Sequence, residues 1–184
     1  MRDRLFASSQ NIKAAWETLK PWVGSLVLLP FMIFYTLNEG KFTFIDFVNL
    51  LIHEGGHGVF KVFGKFIYTL GGSLMQILIP SMFIVYYSIK RIRFGVQIFL
   101  LWLGENFMNI SVYVADARAK QLPLLGGNKV YHDWNYLLGV TELLEYDKLL
   151  GTIVYGTGVL MFVASFFLPL FMKSYREAKI KLTI

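Results

Sequence analysis

The sequence predicts an all-α fold: a polytopic transmembrane helical bundle of about five or six membrane segments, one of them short or re-entrant. Three observations carry that expectation. Hydrophobic residues make up 55% of the 184 and charged residues only 16%, against about 25% charged in an ordinary soluble domain. The charges bunch between long apolar runs instead of alternating with them, as the bilayer requires of spanning segments. Those runs must be helical, because only a helix or a closed barrel satisfies its own backbone in lipid.

Residues 1–20 mix charge with Leu5, Phe6, Ile12, Trp16 and Leu19, the pattern of an amphipathic segment lying on the membrane surface. No short apolar core followed by small residues occurs there, so a cleavable signal is not expected. Residues 21–172 form the transmembrane domain. Its first run goes from Pro21, which suits a first helical turn, to Asn38, and a polar turn over 38–41 follows. The second run, 42–62, holds Asp46, Asn49, His53, Glu54 and His57. Residues 63–70 are apolar and β-prone, which predicts an extended segment tucked against protein. The third run, 71–89, stops at Lys90, Arg91 and Arg93, and the fourth, 94–114, carries Gln97, Glu105, Asn106 and Asn109. After a loop, the fifth run, 132–146, falls short of the ~20 residues needed to cross. The last, 149–172, is long and apolar, and residues 173–184 form a basic tail.

Charge bears on orientation and partners. Lys and Arg outnumber Asp and Glu by 18 to 12, yet they form no continuous patch, so no nucleic-acid partner is expected. They sit at the ends of runs, where they set topology. If all six runs cross from a cytoplasmic N-terminus, 13 of the 18 fall inside, although Lys90, Arg91 and Arg93 fall outside. This predicts an integral, multi-pass protein of the cell membrane with both termini cytoplasmic.

The chain has no cysteine and three histidines. Thiolate metal sites are excluded, and so are di-iron membrane oxidases, which need many more imidazoles. What remains is residues 53–57, His-Glu-Gly-Gly-His. On a helix, His53 and His57 share a face and can grip one ion, with Glu54 beside them as general base. Zinc is the expected ion, since it takes imidazole and carboxylate, three protein ligands in a catalytic site. Asp46, Asn49, His53 and His57 recur at helical spacing, so Asp46 or Asn49 is placed to orient a ligand. Ionisable groups deep in an apolar helix are costly and are kept for function. Gly55 and Gly56 would admit another helix or a substrate backbone.

The third ligand must come from elsewhere. Asp133 is favoured, with His132 next and Asp116 third. His57 lies five residues before the inner end of its run, about 7–8 Å at 1.5 Å per residue. With six crossings, that matches the depth at which His132 and Asp133 open the fifth run. Asp116 reads as part of a helix end with a local ion pair to Arg118. Asn106, Asn109 and Gln76 are candidates for holding substrate backbone or the oxyanion.

At these residues the chain resembles the site-2 protease family of intramembrane zinc metalloproteases, especially its small, minimal branch. His53–His57 is similar to the family's metal motif. Gly72-Ser73-Leu74-Met75-Gln76 is similar to the Gly-Pro-x-x-Asn segment whose Asn helps hold substrate, with Ser73 for Pro and Gln76 for Asn. Asp133 looks like the late aspartate that completes the zinc site, although Trp134 stands where the family has Gly. The resemblance covers roughly residues 42–172 and implies peptide-bond hydrolysis in or near the bilayer on a transmembrane protein substrate. The alternative is a non-proteolytic, metal-binding membrane regulator or scaffold that keeps the site. A metal transporter would want more intramembrane acids than Asp46 and Glu105.

Overall fold

The computed structural model describes residues 15–123 and 131–172, and among them there is no strand. Of the amphipathic segment expected over residues 1–20, residues 1–14 lie outside the described residues, as does the basic tail after 172, while residues 15–20 belong to a helix long and apolar enough to cross a membrane. The six helices are α1 (Val23–Asn38), α2 (Asp46–Phe60), α3 (Lys65–Ile89), α4 (Arg93–Ala115), α5 (Asp133–Val140) and α6 (Asp147–Phe171). A 3-10 turn, Lys20–Trp22 with its Pro in the first turn, joins α1 to helical residues from Ala15.

Among the described residues, four helices are long and apolar enough to cross a membrane: Ala15–Asn38, Lys65–Ile89, Arg93–Ala115 and Leu144–Phe171. Their outward side chains are large and apolar, among them Leu26, Phe31, Phe34, Met82, Val85, Ile153 and Leu160, each at least half exposed. In water such a surface would be an aggregation hazard; against lipid it costs nothing. With 15 residues, α2 is about 22 Å long, short of the ~30 Å hydrocarbon core. The eight residues of α5 are shorter still.

The long helices alternate in direction. Tyr87 and Phe99 stack, joining the end of α3 to the start of α4. The Arg93 guanidinium donates to the Met172 carbonyl at 3.3 Å, and Trp22 meets Phe166 and Phe167. One end of the bundle therefore gathers the start of α1, the α3–α4 turn and the end of α6. At the other end Tyr155 donates to the Thr36 carbonyl, and Arg118 pairs with Asp147 at 2.6 Å.

That ion pair corrects one expectation: Arg118 pairs with Asp147, not with its neighbour Asp116. It also brings the end of α4 to the start of α6. The fifth run holds the short segment expected there, since the eight residues of α5 are too few to span. Nor does α2 reach the terminal end. It begins with Asp46 beside Asn109, meets Trp102 and Glu105 through Asn49, and finishes with Phe60 over Gly71.

The segment 63–70 also differs from expectation. It is a 3-10 turn, Lys61–Phe63, then Gly64, then the first turns of α3. Gly64 takes φ +84°, a conformation open to glycine, and its carbonyl accepts from the Tyr68 amide at 2.9 Å. Helix propagation from this break overrides the β preference of Phe66, Ile67 and Tyr68.

The core is mostly α4 against α6, with α1 across both. Leu28, Met32, Met108 and Phe162 form one buried cluster; Ile110, Val114, Ala117 and Leu138 form another beneath α5. Gly104 and Gly158 let α4 and α6 approach: a Cβ on Gly104 would lie 2.8 Å from the Gly158 carbonyl oxygen, the small-residue packing of membrane helices. Gln97 ties the three helices by donating to Ser25 Oγ at 2.8 Å and to the Ser165 carbonyl at 3.1 Å.

Candidate metal centre

The polar stripe expected on α2 faces protein: Asp46, Asn49 and His53 are buried and His57 is half-buried, with Gly56 buried beside them. Two glycine contacts seat it on α3. A Cβ on Gly56 would strike the Gly71 carbonyl, so the backbones touch there. A Cβ on Gly72 would strike the His53 imidazole, so the ring occupies the space that Gly72 leaves. Gly55 has nothing within 4 Å of its Cβ position.

His53, His57 and Asp133 converge. Asp133 Oδ2 lies 3.0 Å from His53 Nε2 and 3.2 Å from His57 Nε2, and one ligand atom from each residue falls within 4.8 Å of the others. This group could hold a metal ion, and a local observation tests the fit. His57 Nδ1 lies 2.8 Å from the Tyr68 carbonyl oxygen. A carbonyl only accepts, so Nδ1 carries the proton and Nε2 of the neutral ring presents a lone pair. That lone pair faces a carboxylate oxygen. Two lone pairs at this separation repel unless positive charge lies between them, on the ring or as an ion. The donor set thus suits a cation.

Asp133 is delivered by α5 and the loop before it. His132 is the N-cap of α5, its Nδ1 accepting from the Asn135 amide at 3.2 Å. Its Nε2 lies 3.3 Å from Asp116 Oδ2. Burial holds the His132 imidazole below its ordinary pKa against the opposing pull of Asp116, so the neutral ring accepts at Nδ1 and donates to Asp116 from Nε2. Asp116 also accepts from the amides of Gln121 and Leu122 at 2.9 and 3.0 Å. His132 and Asp116, the other third-ligand candidates, are therefore paired with each other, one step back from the convergent group. The Asp133 amide donates to Tyr113 Oη at 3.1 Å, and Trp134 donates to Ser73 Oγ at 3.1 Å, docking α5 on α4 and α3.

The group opens on a cavity of about 640 Å³, within the usual range of ligand sites, roughly 300–1,000 Å³. His53, Glu54, His57 and Asp133 line it with Tyr68 and Tyr113. Glu54 makes no hydrogen bond or ion pair among the described residues. Gln76 and Asn109 reach the same cavity, while Asn106 is fully buried. All three bond within the protein: Gln76 Nε2 donates to Asn106 Oδ1 at 3.3 Å and to Asn109 Oδ1 at 3.1 Å. Asn109 donates to Asp46 at 2.7 Å and Asn49 to Glu105 at 2.8 Å, so the two residues expected to orient a ligand sit in a buried network beside the group. Sequence reasoning missed Tyr68, Tyr113, Ser73 and Trp134. Only the Gly72–Gln76 segment carried a signal, for Ser73; the rest act through backbone or long-range contacts that no spacing reveals. The sequence matches no family model, no curated protein and no solved structure.

Proposed function

We propose that the protein is a zinc-dependent intramembrane endopeptidase, similar in its chemistry to the site-2 proteases, acting on a transmembrane protein substrate. The observation that carries this reading is the convergence of His53, His57 and Asp133 on one point of a cavity that Glu54 also lines. Two imidazoles and a carboxylate are a donor set suited to zinc, with a position left open for chemistry. Bound there, zinc would polarise the scissile carbonyl and make water more acidic.

The residues supply the rest. Glu54, which makes no hydrogen bond or ion pair among the described residues, takes a proton from the attacking water as the water oxygen bonds to the carbonyl carbon. As the C–N bond breaks, Glu54 passes that proton to the leaving nitrogen. Phe42, Leu50, Val112 and Tyr113 give the cavity apolar walls, which exclude bulk water and accept an apolar chain. The test is Glu54→Gln in full-length protein. Zinc content should be unchanged and cleavage of a transmembrane substrate should stop; retained cleavage refutes the mechanism. Bound zinc with no turnover by the unaltered protein against any membrane substrate favours the regulator or scaffold instead.

Charge orients the bundle. Lys20, Lys90, Arg91 and Arg93 lie at the end where the described chain begins and finishes. Arg2, Arg4 and Lys13 precede that end in sequence, and four more cations follow it. These make 11 of the 18, so the positive-inside rule puts this end in the cytoplasm. Four crossings thus remove the conflict that Lys90, Arg91 and Arg93 raised with six. The metal centre then opens toward the opposite face, not toward the cytoplasmic side that six crossings implied.

A further inference from the structure

We propose that Gln76 is a positioning residue that decides which ring nitrogen of His53 meets the metal, and that its own polarity is imposed by two fixed acceptors further away. The inference rests on the metal-centre reading. His57 is oriented by a backbone carbonyl, which cannot turn round. The His53 Nδ1 instead meets a side-chain amide, Gln76 Oε1 at 2.9 Å, and an amide can present either its oxygen or its nitrogen. Presented oxygen-first, Gln76 accepts from Nδ1–H and leaves the Nε2 lone pair for the ion. Presented nitrogen-first, it would need a lone pair on Nδ1, driving the ring proton to Nε2 and closing that atom to metal.

The polarity can be traced to groups that only accept. The Trp102 carbonyl takes a hydrogen bond from Asn106 Nδ2 at 2.9 Å, so Asn106 must aim its Oδ1 the other way. Asp46 takes the Thr43 amide at 2.6 Å and its hydroxyl at 2.7 Å on Oδ2, and Asn109 Nδ2 at 2.7 Å on Oδ1. A carboxylate bound by a backbone N–H is an acceptor there, so Asn109 also turns its Oδ1 outward. Both oxygens point at a single atom, Gln76 Nε2, at 3.3 and 3.1 Å. An amide nitrogen has two hydrogens, one for each. Oε1 is thereby left on the His53 side.

Gln76, Asn106 and Asp46 are buried, while Asn109 borders the cavity. A reversed Gln76 would set its oxygen against two oxygens and leave both without their donor, a costly loss for buried polar groups. The chain Asp46–Asn109–Gln76–His53 therefore carries a direction, fixed at one end by a carboxylate and read at the other as a lone pair. It also gives Asn106 and Asn109 a role on the protein side of the cavity wall.

The test is metal binding by the full chain in detergent micelles. Zinc affinity is measured by chelator competition, and the visible absorption of bound Co²⁺ reports the coordination. Loss of a hydrogen bond to a metal-binding imidazole weakens metal about 10–100-fold, so Gln76→Leu should lose that much and alter the Co²⁺ spectrum. Gln76→Glu should restore most of the affinity, because a protonated Glu accepts from Nδ1–H and donates to an Asn oxygen as Gln does. Asn109→Leu, two bonds from the ligand, should weaken binding by a smaller factor and serves if Gln76→Leu does not fold. Unaltered affinity and spectrum in a folded Gln76→Leu or Asn109→Leu protein overturns the proposal. His53→Ala tests the centre itself: if it holds zinc as tightly as the unaltered protein, the metal-centre reading falls; if it alone loses zinc, only the role of Gln76 falls.

Discussion

Gly55 and Gly56 adjoin within one helix, yet alanine should act on them in opposite directions. Both gain helix propensity, about 1 kcal/mol for Gly to Ala in a helix interior. At Gly55 nothing lies within 4 Å of the new methyl, so Gly55→Ala keeps the whole gain. At Gly56 the methyl meets the Gly71 carbonyl oxygen and carbon and the Met75 Cβ. Two of these atoms are backbone, which cannot rotate away, so α2 must lift from α3. Overpacking of this kind costs about 1–3 kcal/mol, and the rigidity of the neighbour argues for the upper part of that range. Propensity cancels in the comparison, so the gap between the variants measures the contact alone. For a chain of this size 1 kcal/mol moves Tm by roughly 2–4 °C, so Gly56→Ala should melt several degrees below Gly55→Ala. The measurement is thermal unfolding in detergent, followed by helical circular dichroism with excess chelator, since bound metal would add stability of its own. Equal shifts in the two variants would refute the close α2–α3 contact.

Two further outcomes follow from the loop and the topology. Asp116→Ala removes the acceptor shared by Gln121, Leu122 and His132; unpaired buried donors cost about 1–3 kcal/mol, so zinc affinity should fall roughly 10–100-fold while the helix content of the bundle holds, and unchanged affinity would show that this loop does not place Asp133. The chain has no cysteine, so Lys90→Cys and Lys120→Cys each give one thiol: in intact cells a membrane-impermeant maleimide should label the second and not the first, and the reverse pattern would put the cavity on the cytoplasmic face.

What could be read from the sequence was what repeats locally. The apolar runs locate all four long helices, because length and hydropathy decide a span, although α3 begins at Lys65, six residues before the run expected from 71. His53 and His57 are visible as a pair because one turn of helix brings positions four apart onto one face. How the helices sit against one another was not visible in the same way. That α6 starts beside the end of α4 shows in the Arg118–Asp147 pair, 29 residues apart. That α2 stays in one half of the bundle depends on Asn49 meeting Trp102 and Glu105. Among Asp133, His132 and Asp116, spacing could rank but not decide. The decision lies in Asp116 occupying His132 and two loop amides, which leaves Asp133 as the acidic group turned to the histidines.

A deeper reason why a motif is legible before its geometry is that the two are written on different helices. His53, Glu54 and His57 lie on α2, but α3 sets how the imidazoles point. Gly71 admits the α2 backbone and Gly72 admits the His53 ring. The Tyr68 carbonyl takes the Nδ1 proton of His57, and Gln76 takes that of His53. Ser73 holds Trp134, the residue after Asp133. Positions 68, 72 and 76 recur every four residues and share one face of α3, with Gly71 on one side of it against α2 and Ser73 on the other against α5. A change on that face alters the centre without touching a ligand. Gln76 and Gly72 should therefore be as intolerant of substitution as the histidines, whereas Gly55, inside the motif but turned away from this face, should not.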